Sequence, residues 1–113
     1  MTQNFSPALL ASTLEEKTFQ CVVVDDVPLV ISHLKGEFFA VRNQCSHARA
    51  PFDLGRLRNH KLFCPLHGAV FDARNGAALE LPARRPIDAF ATRVNEDGMV
   101  EVDVSAPLPA TAS

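Results

Sequence analysis

Along this chain apolar and polar residues change over in short runs bounded by turn-forming residues, a pattern of β-strands rather than of helices. Phe19 to Val24 is β-branched and apolar, Asp25-Asp26 breaks it, and Leu29 to Leu34 follows as a second run. Lys35-Gly36 then turns the chain into Glu37 to Arg42, so that three strands form a meander with tight connections. Lys61 to Phe63 and Ala69 to Asp72 read as short strands, with Arg74-Asn75-Gly76 as a turn. Phe90 to Val94 and Met99 to Val104 read as a hairpin closed around Glu96-Asp97-Gly98. The helical signal is confined to Ser12-Thr13-Leu14-Glu15-Glu16, where a hydroxyl at Ser12 or Thr13 suits an N-cap and the glutamates suit the positive end of a single turn. Residues 1 to 8 read as a loose start, and the Pro- and Ala-rich stretch 105–113 as a flexible tail with nothing to pack. The expectation is an all-β fold of antiparallel strands, one domain over residues 1–113.

Composition agrees with that reading. A chain of 113 residues, 47% apolar and 21% charged, is the size and make-up of one globular domain with a modest core. Its longest apolar runs, such as Cys21-Val22-Val23-Val24, fall far short of a membrane span, and no basic segment followed by an apolar stretch opens it. The sequence therefore predicts a soluble, cytoplasmic protein with no membrane partner. No internal repeat is visible.

Cysteine usage changes the picture more. Three cysteines are too few and too uneven for a disulfide framework, and two of them stand beside histidines. Cys45-Ser46-His47 is followed, after 16 intervening residues, by Cys64-Pro65-Leu66-His67. Each motif offers one thiolate and one imidazole, which suits a two-iron centre with both thiolates on one iron and both imidazoles on the other. A structural zinc site accepts the same two-Cys, two-His set and stands as the alternative. Cys21 lies within an apolar strand and reads as a small buried side chain. His33 and His60 read as solvated surface residues, Val70 and Phe71 as core, and Phe38-Phe39 as one ring inside and one outside.

The stretch Cys45-Ser46-His47-Ala48-Arg49-Ala50-Pro51-Phe52-Asp53-Leu54-Gly55, with Cys64-Pro65-Leu66-His67-Gly68-Ala69-Val70-Phe71-Asp72 and Gly76, resembles the Rieske ferredoxin family. Leu81-Pro82-Ala83-Arg84-Arg85-Pro86 resembles that family's proline-bearing third loop. The resemblance implies stacked antiparallel sheets with a cluster-binding subdomain at one tip, one [2Fe–2S] cluster, and Cys45, His47, Cys64 and His67 as its ligands. It places the histidine-bound iron outermost, so that electrons pass through an imidazole edge. High-potential relatives carry an extra cysteine in each ligand loop, at positions that match Ala50 and Leu66 here, and a hydroxyl donor at the position of Ala69. The chain has no Tyr to supply a second donor. Fewer hydrogen bonds to sulfur mean a lower potential, toward the bottom of the roughly −150 to +300 mV Rieske range.

The resemblance further implies a role without catalysis of its own. Ring-hydroxylating oxygenases of this kind append a domain with a two-His, one-carboxylate iron site, and the chain has only His33 and His60 beyond the ligand set. The expected function is that of a monomeric ferredoxin passing single electrons from a flavin-dependent NAD(P)H reductase to a terminal oxygenase of aromatic hydrocarbon catabolism. Two other readings stand beside it: a Rieske-like small subunit of a larger reductase of the nitrite type, and a zinc-stabilised interaction module. Charge bears on partners as well. The chain is −2 overall, but residues 41–86 hold eight Lys or Arg against three Asp or Glu. Arg49, Arg56, Arg58 and Lys61 are expected to steer acidic partners toward the cluster. Nucleic acid is a poor fit, because no stacking aromatics are interleaved with the basic residues.

Overall fold

The computed structural model describes residues 4–46, 50–66 and 68–108. Among the described residues ten strands form two antiparallel sheets. The larger has the order β1-β10-β9-β4-β3-β2, built from β1 (Phe5–Leu10), β2 (Thr18–Val24), β3 (Val27–Leu34), β4 (Glu37–Arg42), β9 (Ala89–Val94) and β10 (Met99–Asp103). It curls until its edge strands β1 and β2 lie against each other. The smaller has the order β5-β6-β7-β8, from β5 (Arg56–Arg58), β6 (Lys61–Phe63), β7 (Val70–Asp72) and β8 (Ala78–Glu80). Among the described residues no helix is long and apolar enough to cross a membrane.

The meander forms where the turn residues place it. Asp25 and Asp26 both take positive φ, 48° and 67°, as do Lys35 and Gly36 at 51° and 77°. Two consecutive left-handed residues make the turn whose twist matches the flanking strands. Strand alternation then feeds two separate cores. Leu29, Ile31 and Ala40 point inside the curl with Leu9, Phe90, Val100 and Val102, whereas Val30 and Val41 point out against the small sheet with Phe52, Leu62 and Phe71. Because both faces of β4 are covered, Phe38 packs into the first core and Phe39 into the second. The expected division of the pair into one inner and one outer ring therefore fails.

Several other expectations are corrected. The start of the chain is not loose: Phe5–Leu10 pairs with β10, with a bulge after Pro7. An edge strand tolerates the proline, whose missing N–H would leave a gap in a central strand. The helical turn is a 3₁₀ turn over Ala11–Thr13 with no side-chain cap, and Thr13 Oγ1 donates backward to the Leu10 carbonyl. Glu16 serves the β3–β4 turn instead, accepting from the Lys35 and Gly36 amides. His33 is not solvated: it stacks on Phe38 at 4.2 Å, its Nδ1 donates to the Leu14 carbonyl at 2.8 Å, and its Nε2 lies 3.3 Å from Glu16. His60 is half-buried. The chain is held past Ser105 as far as Leu108, whose amide donates to the Ala89 carbonyl, and residues 109–113 lie outside the described residues.

The whole small sheet lies in the chain between β4 and β9. Those two strands pair directly, Val41 opposite Ala89, and Arg42 bonds Asp88 through its amide at 2.8 Å and its side chain at 3.1 Å. Residues 43–87 therefore leave the large sheet and return to it at neighbouring points.

Candidate metal centre

Each cysteine of the predicted ligand set sits where a strand gives way to a loop: Cys45 three residues past β4, Cys64 immediately past β6. The two loops close alike. The Cys45 amide donates to the Ala50 carbonyl at 2.8 Å, and the Cys64 amide donates to the Ala69 carbonyl at 2.8 Å. Two five-residue reaches with the same internal bond bring the two sulfurs together at the edge of one core, where both residues are buried. Neither is in a disulfide, and the Cys64 thiol lies beside that of Cys45. Burial pushes the Cys64 thiol up, the Leu66 amide pointing at its sulfur opposes this, and Cys45 adds to it.

What holds the loops in place was not legible as a motif. Asn43, two residues before Cys45, accepts the Phe52 amide on Oδ1 at 2.6 Å and donates from Nδ2 to Asp53 at 2.9 Å. Its own amide donates to the Pro28 carbonyl at 2.9 Å, so one side chain pins the far end of the first loop to the large sheet. Ser46, between the two predicted ligands of that loop, donates to the Arg85 carbonyl at 2.6 Å and ties on the third loop. The third loop, with a cis Leu81-Pro82 bond, is anchored at its base by the Ile87 amide donating to Gly76 at 2.8 Å. At Gly76 φ is +79° and a Cβ would stand 2.0 Å from the Ile87 carbonyl oxygen, so only glycine fits. Gly55 is confined likewise, because a Cβ there would stand 2.1 Å from the Phe63 carbonyl oxygen, where the chain leaving the first loop crosses the strand that leads to Cys64.

Cys21 is half-buried on edge strand β2, facing Asn43 and Asp53. Burial, with the Asp53 carboxylate beside it, pushes its thiol up to about 11. A thiol so far from ionising is a packing group, as its apolar setting in the sequence implies. The basic residues divide. Lys61 is paired with Glu80 at 3.4 Å and so does not act as the free steering charge expected of it, while Arg56 lies over the Phe63 ring and Arg58 is exposed. Arg49 lies outside the described residues, as do His47 and His67. Among the described residues no third His, Cys, Asp or Glu joins the two thiols in a metal-binding group.

Two free, buried, neighbouring thiols at the ends of matching loops fit a centre that takes both thiolates on one metal ion, with an amide already directed at one sulfur. Fold and site together define a Rieske-type domain: the model for the Rieske [2Fe-2S] domain matches residues 4–91, and the chain belongs to that family. Within it the chain is similar to the ferredoxin subunit of 3-phenylpropionate/cinnamic acid dioxygenase of Photorhabdus laumondii subsp. laumondii, 42% identical over 78 residues that cover 68% of this chain and 73% of the relative. Among solved structures it is similar to a chain in the complex of reduced oxygenase and oxidized ferredoxin in carbazole 1,9a-dioxygenase, with TM-score 0.84, 27% identity, and coverage of 96% of this chain and all of that one. The Sphingomonas yanoikuyae B1 ferredoxin matches with TM-score 0.81 and 28% identity over 88% of this chain and 98% of its own. The protein is thus a [2Fe–2S] ferredoxin, an electron carrier rather than a catalyst.

Proposed function

We propose that this ferredoxin carries single electrons from a flavin-dependent NAD(P)H reductase to the terminal oxygenase of an aromatic-ring dioxygenase, as a cytoplasmic monomer. Cys45 and Cys64 would hold one iron of its cluster, and His47 and His67 the other. The bound cluster supplies a one-electron couple. The chain's own residues do the rest. Cys45 and Cys64 bind as thiolates, the Leu66 amide donates to the Cys64 sulfur, and the two closed loops keep both sulfurs at a fixed spacing. Ser46 holds the third loop close to Cys45. Ala69, buried at the second loop, offers no hydroxyl, which favours a low potential.

The observation that carries the reading is the pair of free, buried, neighbouring thiols at the ends of two identically closed loops. The ferredoxin subunits it is similar to, named for a dioxygenase of aromatic acids, support the choice of partners. The test is the EPR spectrum of the dithionite-reduced protein, with iron, sulfide and zinc measured on one sample. A rhombic signal of low average g with two irons per chain is expected. Replacing His47 or His67 by Cys is expected to move the signal toward that of an all-cysteine cluster. A silent spectrum with stoichiometric zinc would refute the carrier and leave a structural zinc site.

A further inference from the structure

Exposed leucines and arginines without an acidic partner lie in and beside two depressions, one reaching Cys64 and the other Ser46, the residue after Cys45. Leu54 is 90% exposed and Leu81 71%, and Leu66, two residues past Cys64, is 44% exposed. Leu54 shares a depression with Arg56, Phe63, Cys64 and Pro65. Pro82, next to Leu81, shares another with Ser46, Arg84 and Arg85. The acids of this half of the chain are each taken up internally: Asp53 by Asn43, Asp72 by Arg74, Glu80 by Lys61 and Asp88 by Arg42. Arg56, Arg84 and Arg85 have no acidic partner among the described residues, and all three are exposed. Arg56 is held with its guanidinium 5.2 Å from the Phe63 ring centroid.

Three protruding leucines are costly to leave in water and become favourable when a partner covers them. Arginines spared from internal pairing project a field that the −2 net charge of the whole chain conceals. We propose that this face docks the electron acceptor through an apolar centre of Leu54, Leu66 and Leu81 and a cationic rim of Arg56, Arg84 and Arg85. The acceptor it fits is a protein with an apolar contact centre ringed by carboxylates. The proposal rests on the carrier reading above and names the chemistry of that carrier's partner.

The test uses two haem proteins of opposite surface charge, acidic cytochrome b5 and basic cytochrome c, as acceptors for the dithionite-reduced ferredoxin in stopped flow. One electron passes from the ferredoxin to the ferric haem, which becomes ferrous, with no bond made or broken. The bimolecular rate with cytochrome b5 is expected to fall about tenfold as ionic strength rises from about 0.01 to 0.3 M, and the rate with cytochrome c to rise. The net charge alone predicts the opposite for both. The variant R56Q/R84Q/R85Q is expected to lose the fall with cytochrome b5, and the single variant R85Q to lose part of it should the triple fail to fold. The paired exchange K61Q/E80Q is expected to keep it. Leu54→Ser and Leu81→Ser are expected to slow cytochrome b5 severalfold with the salt dependence unchanged. A wild-type rate with cytochrome b5 that is flat or rises with salt would overturn the docking face and leave the carrier intact. A protein that dithionite does not reduce would overturn the carrier reading and the docking face with it.

Discussion

Asn43→Ala removes two contacts that no other residue is placed to restore. Phe52 is completely buried and packs edge-on against Phe71 at 5.6 Å, so its amide cannot turn to water once the Asn43 oxygen is gone. A buried N–H left without an acceptor costs about 1–3 kcal/mol. Loss of the Nδ2 bond to exposed Asp53 adds about 1 kcal/mol. The total is about 2–4 kcal/mol. At an unfolding entropy of about 2.1 cal/mol/K per residue, a chain of 113 residues loses roughly 4 °C of Tm per kcal/mol, so the drop is about 8–16 °C. Asn43→Asp is expected to fall between, because its carboxylate accepts the Phe52 amide but repels Asp53. Asp53→Ala, which touches only the exposed bond, is expected to cost about 1 kcal/mol. The assay is thermal unfolding followed by far-UV circular dichroism, with loss of visible absorption in a chelator recorded in parallel. An Asn43→Ala protein melting within 2 °C of wild type and keeping its colour as long would refute the clamp.

Three further outcomes follow from particular side chains. Arg74 offsets the burial of Asp72 by two side-chain bonds, at 3.0 and 2.8 Å, and holds its carboxyl below the ordinary range, so the stability it contributes is present above about pH 4 and lost as pH falls through the lowered value. Arg74 being half-exposed, Arg74→Gln is expected to lower the urea midpoint by the equivalent of about 1 kcal/mol at pH 7, and the gap to wild type is expected to narrow as pH falls below about 4; a gap unchanged with pH would contradict the assignment. With its thiol near 11, Cys21 holds about 300-fold less thiolate than an ordinary cysteine near 8.5, so iodoacetamide at pH 8 is expected to leave it unmodified in the folded protein for hours and label it on unfolding. Ala69→Ser is expected to raise the midpoint potential by about 40 mV if its hydroxyl gains a bond to sulfur of about 1 kcal/mol, as read by redox titration; no rise would show that the hydroxyl faces elsewhere.

The sequence was informative where local chemistry decides the outcome. Asp25-Asp26 and Lys35-Gly36 announce their turns because few residue pairs accept two positive φ angles in succession, and the meander follows from them. The two Cys-His motifs announce a site by residue type and spacing alone. Strands β5 and β8 were invisible because Arg56-Leu57-Arg58 and Ala78-Leu79-Glu80 hold no β-branched or aromatic residue and owe their form to pairing with β6 and β7. His33 was misjudged for a related reason: what buries it is the Leu14 carbonyl, Glu16 and Phe38, partly from a segment 19 residues away. Asn43 and Ser46 carry no signature, since a clamp is defined by what it reaches, here Phe52 and Arg85.

The point where residues 43–87 depart from and rejoin the curled sheet has a consequence for how such a protein is altered over generations. With Val41 and Ala89 already paired and Arg42 bonded to Asp88, the frame has no need of the excursion to keep its strand order. The metal-bearing segment behaves as a cartridge seated in a socket, and the socket is the outer face presented by Val30, Val41 and Phe39. Redox properties can then be exchanged by rewriting one contiguous stretch while the inner core of Leu29, Ile31, Phe90 and Val102 stays untouched.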